Sequence, residues 1–80
     1  MGESKNVSVE ATCVAETKNA ICVTLGKPGE GRTEYWIPQS QVHDDSEVYA
    51  AGDTGRLVVT RGIAQQKKIE EKCEDYEDDG

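Results

Sequence analysis

The chain has no phenylalanine, one tryptophan, one histidine and one methionine among its 80 residues. Its only aromatics are Tyr35, Trp36, Tyr49 and Tyr76, so any core must be built mainly from aliphatic side chains. No uncharged apolar run approaches the ~20 residues that cross a bilayer, and no membrane partner is expected. Basic residues are scarce as well: nine Lys and Arg stand against 16 Asp and Glu, a net charge of −7. Neutralising phosphates needs a basic patch, so direct binding of DNA or RNA is not expected. Three cysteines, Cys13, Cys22 and Cys73, include no CxxC pair, and with His43 they make no zinc ligand set. No metal and no cofactor is expected. An odd cysteine count is not a disulfide framework. The start, MGESKNVSV, has no basic head followed by an apolar run, so the expected compartment is a reducing cytosol.

What is present reads as one small α+β domain: an antiparallel sheet of about four strands in a meander, closed by one C-terminal helix. Residues 7–14 alternate, with Val7, Val9, Ala11 and Cys13 on one face; residues 20–25 alternate likewise through Ile21, Val23 and Leu25. Matching these rows pairs Cys13 with Val23 across a Thr17-Lys18-Asn19 turn and puts Cys13 and Cys22 on opposite faces, which excludes a disulfide between them. Residues 26–32 are a Gly/Pro connection without the GxxxxGK of a phosphate loop. A third strand spans residues 33–37 and ends at Pro38, a fourth spans 56–60. On the third, Tyr35 and Ile37 share one face and Trp36 the other, so one aromatic faces solvent or a second small core. Residues 39–54 are turn-rich, anchored by Val42, Val48 and Tyr49. From Arg61, capped by Thr60, helical spacing places Gln66, Ile69, Cys73 and Tyr76 in a thin stripe, with fraying after about Cys73. The expected core is Val7, Val9, Ile21, Val23, Leu25, Ile37, Leu57, Val59, Ile63 and Ile69, with Tyr35 or Trp36.

Charge divides the chain into a nearly neutral body, residues 1–69, and an acidic end, residues 70–80, with seven acids and one lysine. Such an end attracts basic protein surfaces. The candidate partner-binding residues are Glu70, Glu71, Glu74, Asp75, Glu77, Asp78 and Asp79, set in rows along the helix. A second acidic group, Asp44, Asp45, Glu47 and Asp53, lies on the loops before the fourth strand; of these Asp44, Asp45 and Glu47 are partner-binding candidates, and Trp36 is an aromatic contact candidate. Enzyme readings find little support: His43-Asp44-Asp45 would need a water-poor cleft, which a loop in so short a chain does not build. The tail acids lack the spacing of a calcium loop. No catalytic residue is assigned, and a monomer or weak homodimer is expected.

The run Trp36-Ile37-Pro38-Gln39-Ser40-Gln41, then Ser46-Glu47-Val48, then Gly52-Asp53-Thr54-Gly55-Arg56-Leu57 resembles small phage- and prophage-encoded proteins with WIPxSQ, SEV and GDxGxL elements and a closing helix. The resemblance covers roughly residues 20–69 and departs from those proteins at Arg61-Gly62-Ile63 and in the longer acidic end. One branch that the chain looks like is the small acidic anti-CRISPR proteins, which act on type I surveillance complexes. The resemblance implies a phage-encoded, non-enzymatic inhibitor in the host bacterial cytosol. Its partner would be a basic protein or ribonucleoprotein surface, met by acidic DNA mimicry. The alternative is a phage replication or recombination accessory module that binds a protein through the sheet and Trp36.

Overall fold

The computed structural model describes residues 5–76. Glu77, Asp78 and Asp79 of the expected tail lie outside the described residues. Strands β1 (Asn6–Glu16), β2 (Ala20–Leu25), β3 (Tyr35–Pro38) and β4 (Thr54–Thr60) precede a short helix α1 (Arg61–Gln66), and strand β5 (Glu74–Tyr76) follows it. The architecture is a small antiparallel sheet with one short helix. The sheet order is β3-β2-β1-β4, with β5 also on β1. A meander would have placed β4 beside β3. Instead β4 pairs with β1, from Asn6↔Thr60 to Thr12↔Thr54, because the 15-residue connection from Gln39 to Asp53 crosses to the far edge. β1 is therefore central. One of its edges carries β4; the other carries β2 at residues 11–16 and β5 at residues 6–8.

The expected register holds at the pair Cys13↔Val23 and then shifts by a bulge at Val14, so that Ala15 faces Cys22. Because the slip begins only after Cys13, the apolar rows upstream stay on the inner face. Cys13 lies on that inner face and Cys22 on the other, and all three thiols are free. Burial raises each thiol pKa above its ordinary value. Cys13 and Cys22 are buried and Cys73 is half-buried. Alkylation of the native protein is therefore expected at Cys73 first, with Cys13 and Cys22 modified only after unfolding. Mass measurement after timed alkylation checks this, and early labelling of Cys22 would overturn it.

The core lies between the inner face and α1. Val7, Ala11, Cys13, Ile21, Val23, Ile37, Leu57 and Val59 pack with Ile63, Ala64 and Ile69, and Val48 joins from the long connection. Val9, Leu25, Val42 and Tyr35 are partly buried against this cluster. Tyr35 thus takes the inner position and Trp36, 45% exposed, the outer one. Tyr49 is an exposed turn residue and does not anchor the core as expected.

The helix is the main departure from expectation. Thr60 caps it as read, its hydroxyl accepting from the Ile63 N–H at 3.3 Å. It ends at Gln66, however, two turns before Cys73. The Lys68 N–H donates to the Gln65 carbonyl and the Ile69 N–H to the Ala64 carbonyl, with Lys68 at φ 62°. This is a Schellman cap, closed by the contact of Ile69 with Ala64 inside the core. Continuing the helix would have carried mostly charged residues along a thin stripe; turning back lets the acidic segment pair with β1. Gln66 is exposed, and Tyr76 lies in a strand. The rows of carboxylates along a helix are therefore not formed. Glu70 and Glu71 sit in a 3-10 turn (Glu70–Lys72), and Glu74 and Asp75 in β5. A lysine in the left-handed region is strained, whereas glycine is not. Lys68→Gly is expected to stabilise the fold by about 0.5–1 kcal/mol, read as a higher urea midpoint.

Candidate functional site

The long connection is a cap on the sheet edge. Outward-facing backbone groups of an edge strand invite unwanted pairing unless they are covered. On β4 those groups belong to Arg56 and Val58. The Glu47 N–H donates to the Arg56 carbonyl at 2.7 Å, and the Arg56 N–H donates back to Glu47 Oε1 at 2.9 Å. The Val58 N–H donates to Ser46 Oγ at 2.8 Å, and the Val58 carbonyl accepts from Ser46 Oγ and the His43 N–H. Gly55, at φ 142°, is required here: a Cβ at that position would stand 2.8 Å from Glu47 Oε1. Asp53 closes the preceding turn, accepting from the Tyr49 and Ala50 N–H groups, which hold its carboxyl below the ordinary range. Val48 turns inward to the core.

This cap fixes the loop acids. Asp44, Asp45 and Glu47 are exposed at the rim of β4. Asp45 is met by the C-terminal strand: the Tyr76 hydroxyl donates to Asp45 Oδ2 at 2.6 Å. β5 lies on one side of β1 and Asp45 beyond β4 on the other, so the Tyr76 side chain reaches across the outer face of the sheet. Its ring lies 6.1 Å from that of His43, and the Arg56 guanidinium stands 5.9 Å from its centroid. Val58, on this outer face, is fully buried.

One acid of the C-terminal group, Glu74, therefore shares a face with the loop acid Glu47, far from it in sequence. Glu10, Glu47 and Glu74 line a shallow groove of about 440 Å³ together with Ser8, Arg56 and Lys72. Alternation explains the grouping: Glu74 pairs with Ser8 and Tyr76 with Asn6, all on the outer face, whereas Asp75 pairs with Val7 and projects toward the helix side. There Arg61 holds it, Nη2 to Oδ1, and also binds Glu70 Oε2 through Nη1 at 2.8 Å. The guanidinium and Gln65 together hold the Glu70 carboxyl below the ordinary range. Of the expected site residues, Glu47 and Glu74 are thus brought together and Asp45 is tied to the same strand through Tyr76, whereas Asp44 lies in a separate depression with Ile21, Gln39, Val42 and Tyr49. Asp75 and Glu70 are turned to Arg61, and Glu71 is exposed on the 3-10 turn. Sequence reasoning missed Glu10, Arg61 and Ser46. Glu10 was legible as an outward residue of β1, but nothing in one dimension joins Arg61 to Asp75.

Trp36 lies on the same outer face at its other end. Ala15, Cys22 and Trp36 form one row across β1, β2 and β3, with Trp36 on the edge strand. Thr12 and Thr24, a cross-strand pair, lie between this row and the acidic end. Among the described residues no cluster of His, Cys, Asp and Glu could hold a metal ion, and no helix is long and apolar enough to cross a membrane. Comparison with family models, with curated proteins and with solved structures finds no match in any of the three.

Proposed function

We propose that the chain is a non-enzymatic inhibitor of anti-CRISPR type, which docks the helix-free face of its sheet on a basic surface of a nucleic-acid-handling protein in the bacterial cytosol. The observation that supports this reading best is the hydrogen bond from Tyr76 to Asp45, which draws the strand that carries Glu74 onto the face of the loop acids. Carboxylates fixed by backbone contacts, as Glu47 is, lose little freedom on meeting a guanidinium or ammonium group. The face can then occupy a groove that otherwise takes phosphates, and the resemblance to anti-CRISPR proteins makes a type I surveillance complex the first partner to test.

A second reading rests on Trp36, whose exposure on an edge strand suits an accessory module that buries apolar surface against a protein. A gel-shift titration of the surveillance complex and its DNA with this protein separates the two. The mimic is expected to remove the shifted DNA band, with an effect that fades as salt rises. Glu10→Lys, Glu47→Lys and Glu74→Lys together are expected to abolish it. A slower ternary band that survives these three changes and is lost in Trp36→Ala would reject the mimic and support the accessory module.

A further inference from the structure

We propose that residues 70–76 form a releasable strap, clamped from both sides of the sheet, which a basic partner opens by competing with Arg61 for the same carboxylates. Its release regulates the face assigned above to partner binding, and that part of the inference rests on the docking reading. The strap occupies the stretch of the β1 edge, Asn6–Ser8, that lies beyond the end of β2. Three residue pairs attach it. Alternation in β5 sends its side chains both ways: Asp75 to Arg61 on the helix side, Tyr76 to Asp45 on the outer side. Glu70, at the start of the strap, is bound to the same guanidinium.

The contrast with the segment just before it is what makes the strap separable. Ile69 is fully buried in the core, whereas Glu71, Lys72, Glu74 and Asp75 are exposed. Little apolar area beyond Cys73 and Tyr76 is at stake in lifting the strap, so the core survives its release. Local opening of this kind is set by few buried contacts and exposed hydrogen bonds. Besides the ladder pairs and the Tyr76–Asp45 hydrogen bond, two ion pairs to Arg61 hold it, and the more exposed of them, to Asp75, weakens with salt. Arg61 presents to Glu70 and Asp75 the planar fork that an arginine of a partner would present. An incoming basic surface therefore meets a clamp it can replace group for group, and binding frees the acidic segment from its own chain.

Residue-resolved amide exchange on the full chain tests this. At about 50 mM salt the Glu74 and Tyr76 amides, which face β1, are expected to exchange by local opening, faster than those of Val23 and Leu57, and to speed up several-fold at about 500 mM while the core amides do not. Arg61→Gln is expected to reproduce the high-salt rates at low salt, and so is adding nona-arginine peptide to the wild type. Asp75→Asn breaks the clamp from the strap side and serves as the second variant if Arg61→Gln does not fold. Exchange of the β5 amides at the rates of Val23 and Leu57 under every condition would overturn the strap, as would unchanged β5 rates in both variants. Strap opening by nona-arginine without displacement of DNA from the surveillance complex would reject the docking reading and leave the strap standing. Displacement of DNA by a chain whose β5 amides never open locally would do the reverse.

Discussion

Replacing Ile69 by alanine is expected to lower stability by about 2–5 kcal/mol, the range for truncating a fully buried aliphatic side chain. Ile69 has no exposed surface and packs in the same cluster as Val7, Leu57 and Ile63. Its N–H closes the helix on the Ala64 carbonyl at 2.9 Å. It is also the last fully buried residue before the 3-10 turn and β5, so the cavity left by alanine would loosen the attachment of everything that follows. A domain of this size is held by roughly 5–15 kcal/mol in total, so the variant would lose a large share of its stability. Urea unfolding followed by Trp36 fluorescence measures the change. A shift below about 1 kcal/mol would mean that residue 69 is not a core position.

The second large effect is expected at a polar residue. Ser46 is 6% exposed, and its hydroxyl both accepts from the Val58 N–H and donates to the Val58 carbonyl. In Ser46→Ala the carbonyl keeps the His43 N–H, but the Val58 N–H has no replacement. Leaving a buried donor unmade costs about 1–3 kcal/mol. The consequence is not only thermodynamic. The loop that Ser46 pins to β4 carries Asp44, Asp45 and Glu47, so loosening it should also weaken any interaction made through them. Ser40→Ala, at an exposed position, is the control and is expected to stay within about 0.5 kcal/mol of the wild type. Equal urea midpoints for Ser46→Ala and Ser40→Ala would show that the loop is not held through this hydroxyl.

The residues that carry the resemblance to phage proteins have structural tasks in this fold. In the first element Ile37 enters the core, Gln39 donates to the Thr17 carbonyl and Gln41 accepts from the Thr60 hydroxyl. In the second, Ser46 and Glu47 cap β4 while Val48 enters the core. In the third, Asp53 makes the turn, Gly55 leaves room for Glu47 and Leu57 is buried. Trp36, by contrast, is left exposed on the edge strand. Motifs of this kind specify how the long connection lies against the sheet. The acids proposed to meet a partner lie mostly outside them.

Local alternation was enough to determine the first four strands, the inner face and most of the core. Side chains of period two and a buried face permit only one register per hairpin, and the pair Cys13↔Val23 follows from that. The Thr60 cap was legible for the same reason, since its hydroxyl acts on an N–H three residues away. What one dimension could not hold is everything that depends on distant partners. The placement of β4 depends on the edge of β1 that β2 does not occupy, and the strand made by Glu74–Tyr76 depends on the stretch of the other edge that β2, ending opposite Ala11, leaves open. Helical spacing after Gln66 was real but thin, and it lost to a Schellman turn that buries Ile69 and to a strand pairing that the stripe could not match. The same competition decided the site. Composition alone made the C-terminus acidic. Tertiary structure turned Asp75 and Glu70 to Arg61 and set Glu74 beside Glu10 and Glu47, because strand alternation sends neighbouring carboxylates to opposite faces.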